Sequence, residues 1–182
     1  MVNAVRSEQD ESSMDPEQLA RQCAEVMWST DHASQGLGMR IEHIGPGEAT
    51  LTMTVRQDMV NGHGICHGGF ITTLADSAFA FACNSRGTVT VASGIQIDFV
   101  EPGHLGDVLR AEAREVVLRG RSGVYDVTVR REGTVIAVFR GRSRSLNRAL
   151  LQQTNPASAN ATPSGPVPTN PVQMNSAIKE QA

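Results

Sequence analysis

The chain is short of several things whose absence limits what it does. Its three cysteines, Cys23, Cys66 and Cys83, are an odd number with no CxxC pair. That argues against a disulfide framework and points to a reducing cytoplasm. The first ten residues lack the apolar core of a signal peptide, so an unexported protein is expected. No apolar run reaches the roughly 20 residues that span a bilayer. Residues 64–83 are the longest weakly polar run, and glycines and Asp76 interrupt it, so a buried helix is expected and no membrane partner. The formal net charge of −3 gives no argument for nucleic acid. Neither a Gly-x-Ser-x-Gly elbow nor a Walker or dinucleotide fingerprint occurs, which argues against a serine hydrolase or nucleotide enzyme. No internal repeat is visible.

At 182 residues the chain suits one domain with additional sequence. Residues 1–14 are polar and aperiodic, and a disordered arm is expected there. Asp15-Pro16-Glu17-Gln18 reads as a helix start, with Asp15 as N-cap, Pro16 in the first turn and Gln18 completing a capping box. Leu19, Cys23, Val26 and Met27 continue at helical spacing, predicting a helix over 16–30. Thr and apolar residues alternate over 48–55, the period of a half-buried strand. After a helix at 67–84, strand-like runs cover 89–100, 107–118, 123–132 and 134–145. Pro102-Gly103, Gly120 to Gly123 and Glu132-Gly133 separate them. This order predicts an α+β fold, an antiparallel sheet curled around one helix, within a domain over 15–148. Residues 149–182 hold five of the eight prolines and no aromatics, and a disordered tail is expected.

Asp76 is the only formally charged side chain between Asp58 and Arg86. On a helical wheel, Phe70, Ile71, Leu74, Ala78, Phe81 and Ala82 share one side. Thr72, Thr73, Asp76, Ala80 and Cys83 lie on the other. A solvated face would hold Lys and Glu, so both sides are expected to be covered. An unpaired carboxylate is costly to bury, so Asp76 is either satisfied by partners or used in chemistry. No lysine or arginine is near in sequence, and burial would raise its pKa.

Three stretches carry a resemblance: Asn61-Gly-His, Cys66-His67-Gly68-Gly69, and Leu74-Ala75-Asp76-Ser-Ala-Phe-Ala80. They are followed by Ala82-Cys-Asn-Ser85, Asp98-Phe-Val-Glu-Pro-Gly103, Gly123-Val-Tyr-Asp-Val127 and Val138-Phe-Arg-Gly141. Over about residues 17–147 the chain resembles the hotdog-fold acyl-CoA thioesterases of the phenylacetic acid degradation type. The resemblance implies a hotdog fold, with the antiparallel sheet wrapped around a long central helix. It implies a catalytic carboxylate at Asp76, an oxyanion hole at the Gly68 N–H, and Asn61 and His67 lining the site. The implied reaction hydrolyses arylacetyl-CoA thioesters such as phenylacetyl- or hydroxyphenylacetyl-CoA, with no cofactor. Gly69 and Thr72 are candidate substrate contacts beside these.

The chemistry suits these residue types. Fixed N–H donors at a helix start stabilise the oxyanion of an attacked thioester. A carboxylate can take a proton from water or attack to form an anhydride. Gly68 and Asp76 are eight residues apart, roughly 12 Å along a helix, so one carbonyl cannot touch both groups of one copy. An antiparallel helix from a second copy would complete the site, giving a homo-oligomer with shared sites; the family leans to a homotetramer. Coenzyme A carries phosphates, and ten of the fifteen arginines fall in 110–148; Arg119, Arg121 and Arg142 are candidate contacts. His63, Cys66 and His67 offer metal-ligand types, but no fourth ligand is near, and no metal is expected. Two alternatives use the same fold: an enoyl-CoA hydratase or dehydratase, and a non-catalytic acyl-CoA-binding sensor.

Overall fold

The computed structural model describes residues 14–151. The N-terminal arm as far as residue 13 and the tail from 152 lie outside the described residues. Helix α1 (Pro16–Trp28) begins as its sequence predicts: Asp15 accepts the Gln18 N–H at 3.2 Å and Pro16 opens the first turn. A single-turn helix, α2 (His32–Gly36), follows under an Asp31 cap. Strands β1 (Arg40–Gly45) and β2 (Glu48–Thr54) form a hairpin, and a 3-10 turn at Gln57–Met59 leads to α3 (Gly68–Asn84). Strands β3 (Thr88–Phe99), β4 (Val108–Arg119), β5 (Ser122–Arg131) and β6 (Thr134–Ala149) complete the order. All pairings are antiparallel, and the six strands lie in the order β1-β2-β4-β5-β6-β3. This is the hotdog arrangement.

Neither α2 nor β1 was legible as an element. β1 is an edge strand with only Gly45 buried, so it shows no clean alternation. β6 also runs beyond 145. It continues to Ala149, and the Leu150 N–H reaches the Gly87 carbonyl at 2.9 Å, so the folded unit extends past 148.

Ile71, Leu74, Ala75, Ala78, Phe79 and Ala82 of α3 sink into the concave face of the sheet. They meet Leu51, Met53, Leu109, Val127, Val129 and Phe139 in one core. Each large apolar side chain so buried contributes roughly 1.5–3 kcal/mol before entropy is counted. Phe79 fits because residue 141 has no side chain: a Cβ on Gly141 would lie 2.8 Å from two of its ring carbons. Tyr125 and Phe139 flank the ring at 5.5 and 5.9 Å between centroids. From the other side, Trp28 of α1 packs on Phe81, and Ser34 of α2 shares a 2.9 Å hydrogen bond with Ser77. Thr72, Thr73, Asp76 and Ala80 stay half-buried. Within one copy, that face of α3 is covered only in part.

Candidate active site

The cavity is built where the loop before α3 meets the end of β3. Asn61 shapes this loop. Its Oδ1 accepts the N–H groups of His63 (2.9 Å) and Ile65 (3.4 Å), and its own N–H donates to the Ile65 carbonyl. The Asn61 side-chain N–H groups have no acceptor among the described residues, so they are available to a bound molecule. Two further bonds anchor the loop: His67 N–H to the Met59 carbonyl and Cys66 N–H to the Gly103 carbonyl, both 2.8 Å.

His67 is the N-cap of α3. Its Nδ1 accepts the Gly69 N–H at 3.0 Å, so in the neutral ring the proton resides on Nε2. The Phe70 N–H goes to the His67 carbonyl. The Gly68 N–H finds no acceptor among the described residues. It is a free donor at the positive end of a 17-residue helix. The ring of Phe99 crosses directly above Gly68, where a Cβ would lie 2.9 Å from Cζ, so only glycine fits under the ring as it stands.

Asn61, His67, Gly68, Ile71, Phe99 and Glu101 bound a cavity of about 670 Å³. Three sequence candidates therefore meet there: Asn61, His67 and Gly68. Asp76 lies two turns along α3, outside that lining, as the helical spacing requires. Its carboxylate is half-buried with no hydrogen bond or ion pair among the described residues, and burial raises its pKa. Gly69 and Thr72 are adjacent to the cavity but do not line it. The Gly69 N–H is taken by His67, and the Thr72 hydroxyl donates to the Gly68 carbonyl at 2.8 Å. Arg119, Arg121 and Arg142 are exposed on the β4–β5 turn and on β6, away from the cavity. On β6, Arg140, Arg142 and Arg144 alternate with buried Gly141 and Ser143 and so face outward. Sequence reasoning assigned no role to Phe99 or Glu101, although Pro102-Gly103 marked the bend that places them.

The thiols are poor nucleophiles. Burial, then Asp107, pushes Cys66 up, and burial holds Cys83 at about 12. Among the described residues no group of three His, Cys, Asp or Glu could hold a metal ion. No helix among them is long and apolar enough to cross a membrane.

Comparison with known proteins agrees with this architecture. The thioesterase superfamily profile matches residues 63–138. The acyl-coenzyme A thioesterase PaaI of Escherichia coli is 44% identical over 132 residues, which cover 72% of this chain and 94% of that protein. The chain belongs to the thioesterase superfamily. The solved structure of E. coli PaaI, from the phenylacetic acid degradation operon, superposes with a TM-score of 0.73 at 40% identity, covering 74% of this chain and 99% of that one. A mutant of the phenylacetic acid degradation protein PaaI from Thermus thermophilus gives a TM-score of 0.61 at 42% identity, over 62% of this chain and 97% of that one. A Streptococcus mutans protein solved with acetyl CoA bound gives 0.59 at 26% identity, over 61% and 90%. Within this family the fold is the one these PaaI structures share, and its central helix is the one that begins at Gly68.

Proposed function

We propose that this protein hydrolyses acyl-CoA thioesters, with phenylacetyl- or hydroxyphenylacetyl-CoA as the leading substrates, in the breakdown of phenylacetate. The name and operon of the E. coli relative support this substrate class. One observation carries the reading. The unpartnered Gly68 N–H and the free Asn61 amide face one largely apolar cavity, and an unpaired carboxylate stands two turns along the same helix.

In this reading the thioester oxygen accepts from the Gly68 N–H, where developing negative charge gains most from a fixed donor. The Asn61 amide orients the carbonyl or the attacking water. His67 holds the turn through its Nδ1, which leaves the proton on Nε2, so the neutral ring has no free nitrogen to act as the general base of a hydratase. Asp76 of the partner subunit supplies the carboxylate, either activating water or attacking to form an anhydride. Gly69 and Thr72 shape the helix start, and Arg119, Arg121 and Arg142 are free to meet the coenzyme phosphates.

A second copy suits the surface. β3 is a 12-residue edge strand with a single charged side chain, Asp98, and with Val91, Ile95 and Phe99 exposed. An edge so long and apolar favours pairing with another chain. We place the protein in the cytoplasm as a dimer or tetramer, consistent with three free, buried cysteines. The deciding assay measures free CoA released from phenylacetyl-CoA by the purified protein and by Asp76→Ala. Release by the wild type that falls by about 10²–10⁴ in the variant supports the proposal. Folded protein that releases CoA from no thioester overturns it.

A further inference from the structure

One acidic residue, Glu101, lines the candidate cavity, and nothing in the chemistry above uses it. Its position is fixed by the backbone. The N–H groups of Val100 and Glu101 both donate to the Ile136 carbonyl, at 2.8 and 3.2 Å, a bulge at the end of β3. Next in sequence, the Pro102 carbonyl accepts from Arg131 Nη1 at 3.0 Å, and the Gly103 carbonyl accepts from the Cys66 N–H. The segment bearing Glu101 is thus tied on one side to β6 and on the other to the residue before His67. Arg131 is engaged elsewhere, pairing with Asp107 and touching His104. The Glu101 carboxylate has no hydrogen bond or ion pair among the described residues. The same cavity is lined by the apolar Ile65, Ile71, Phe99 and Val100 and by the polar Asn61 and His67.

An unpaired carboxylate on an anchored backbone at the edge of this cavity is hostile to the nucleotide end of coenzyme A, whose phosphates it would repel. The same carboxylate suits a neutral acyl group that ends in a hydrogen-bond donor. We infer that Glu101 is a specificity-determining residue at the acyl end of the cavity. It accepts a hydrogen bond from a hydroxyl on an arylacyl group and excludes acyl groups that end in a carboxylate. This rests on the thioesterase reading above and deepens it.

The test compares kcat/KM for phenylacetyl-, 4-hydroxyphenylacetyl- and 4-carboxyphenylacetyl-CoA in the wild type, Glu101→Gln and Glu101→Leu. Glu101 is exposed, so both variants should fold. A hydrogen bond to a charged group is lost in Glu101→Leu, so the preference for the hydroxylated over the plain substrate should fall about tenfold or more. In Glu101→Gln the discrimination against the carboxylated substrate should relax by about tenfold, because the repelling charge is gone. Ratios that stay within about twofold of wild type, in variants that still cleave phenylacetyl-CoA, overturn the role of Glu101 and leave the thioesterase reading standing. Wild-type protein that cleaves none of the three overturns the thioesterase reading on which it rests.

Discussion

Two glycines approach phenylalanine rings equally closely, and adding one methyl group to each should have opposite consequences. A Cβ on Gly68 would lie 2.9 Å from Phe99 Cζ, and one on Gly141 would lie 2.8 Å from two carbons of Phe79. Carbon atoms rest at about 3.5–4.0 Å, so each ring must retreat by about 1 Å. Phe79 cannot. It is 1% exposed and wedged between Tyr125 and Phe139. Phe99 is 52% exposed at the end of an edge strand, so within one copy it has room to swing. Gly141→Ala should therefore cost about 1–3 kcal/mol of stability as an overpacked core. In a domain of this size that lowers Tm by about 2–4 °C for each kcal/mol.

Gly68→Ala should leave stability within about 1 kcal/mol of wild type, since alanine is well tolerated at the start of a helix and the opposing ring yields. Its effect belongs to catalysis. The methyl group and the displaced Phe99 ring both intrude where a carbonyl must approach the Gly68 N–H. A misplacement near 1 Å costs about 10²-fold in rate, so kcat/KM should fall by that order. Urea unfolding gives the first quantity and free-CoA release gives the second. Gly68→Ala with wild-type activity would refute a role for that N–H. Equal destabilisation by both variants would refute the claim that Phe99 is free to move.

The remaining expectations concern the carboxylate, the amide and the shared site. Burial raises the Asp76 pKa, so the folded state holds that proton more tightly than the unfolded chain. Wild-type stability should then decline as pH rises from the ordinary carboxylate range through the raised value, and Asp76→Asn should be the more stable protein above that window and equal below it. Thermal melts across pH check this, and the same titration should appear as an acidic limb of kcat/KM lying above the ordinary carboxylate range. Asn61→Asp keeps the oxygen that accepts from His63 and Ile65 but loses the amide donors. It should retain stability while kcat/KM drops by at least tenfold, whereas loss of both together would make Asn61 a turn residue only. Mixing inactive Asp76→Ala with inactive Gly68→Val should restore activity, because a mixed dimer pairs the intact glycine of one copy with the intact aspartate of the other. No recovery after proven subunit exchange would place both groups in one chain's site.

How much of this was legible depended on how far apart in sequence the cooperating residues lie. Asn61, His67 and Gly68 sit within one short segment, where a turn residue, a cap and a helix start must be neighbours, and the sequence displays them together. Asp76 stood out because nothing else charged surrounds it. Phe99 and Glu101 reach the same cavity only because β3 runs back antiparallel to α3, and adjacency created by chain reversal leaves no mark on local periodicity. The helical wheel left Phe79 unassigned for a related reason. Phe79 falls at the boundary between the two faces and is buried, and Cys83, on the face opposite the apolar one, is buried as the expectation of two covered sides requires. A flat sheet would leave such flank positions in water. A curved one wraps beyond half the helix, and the hole that receives Phe79 is a missing side chain at Gly141, more than sixty residues away. The fold could be read from patterns along the chain, whereas the cavity walls depend on curvature and on absent atoms, which become visible only once the strands are placed.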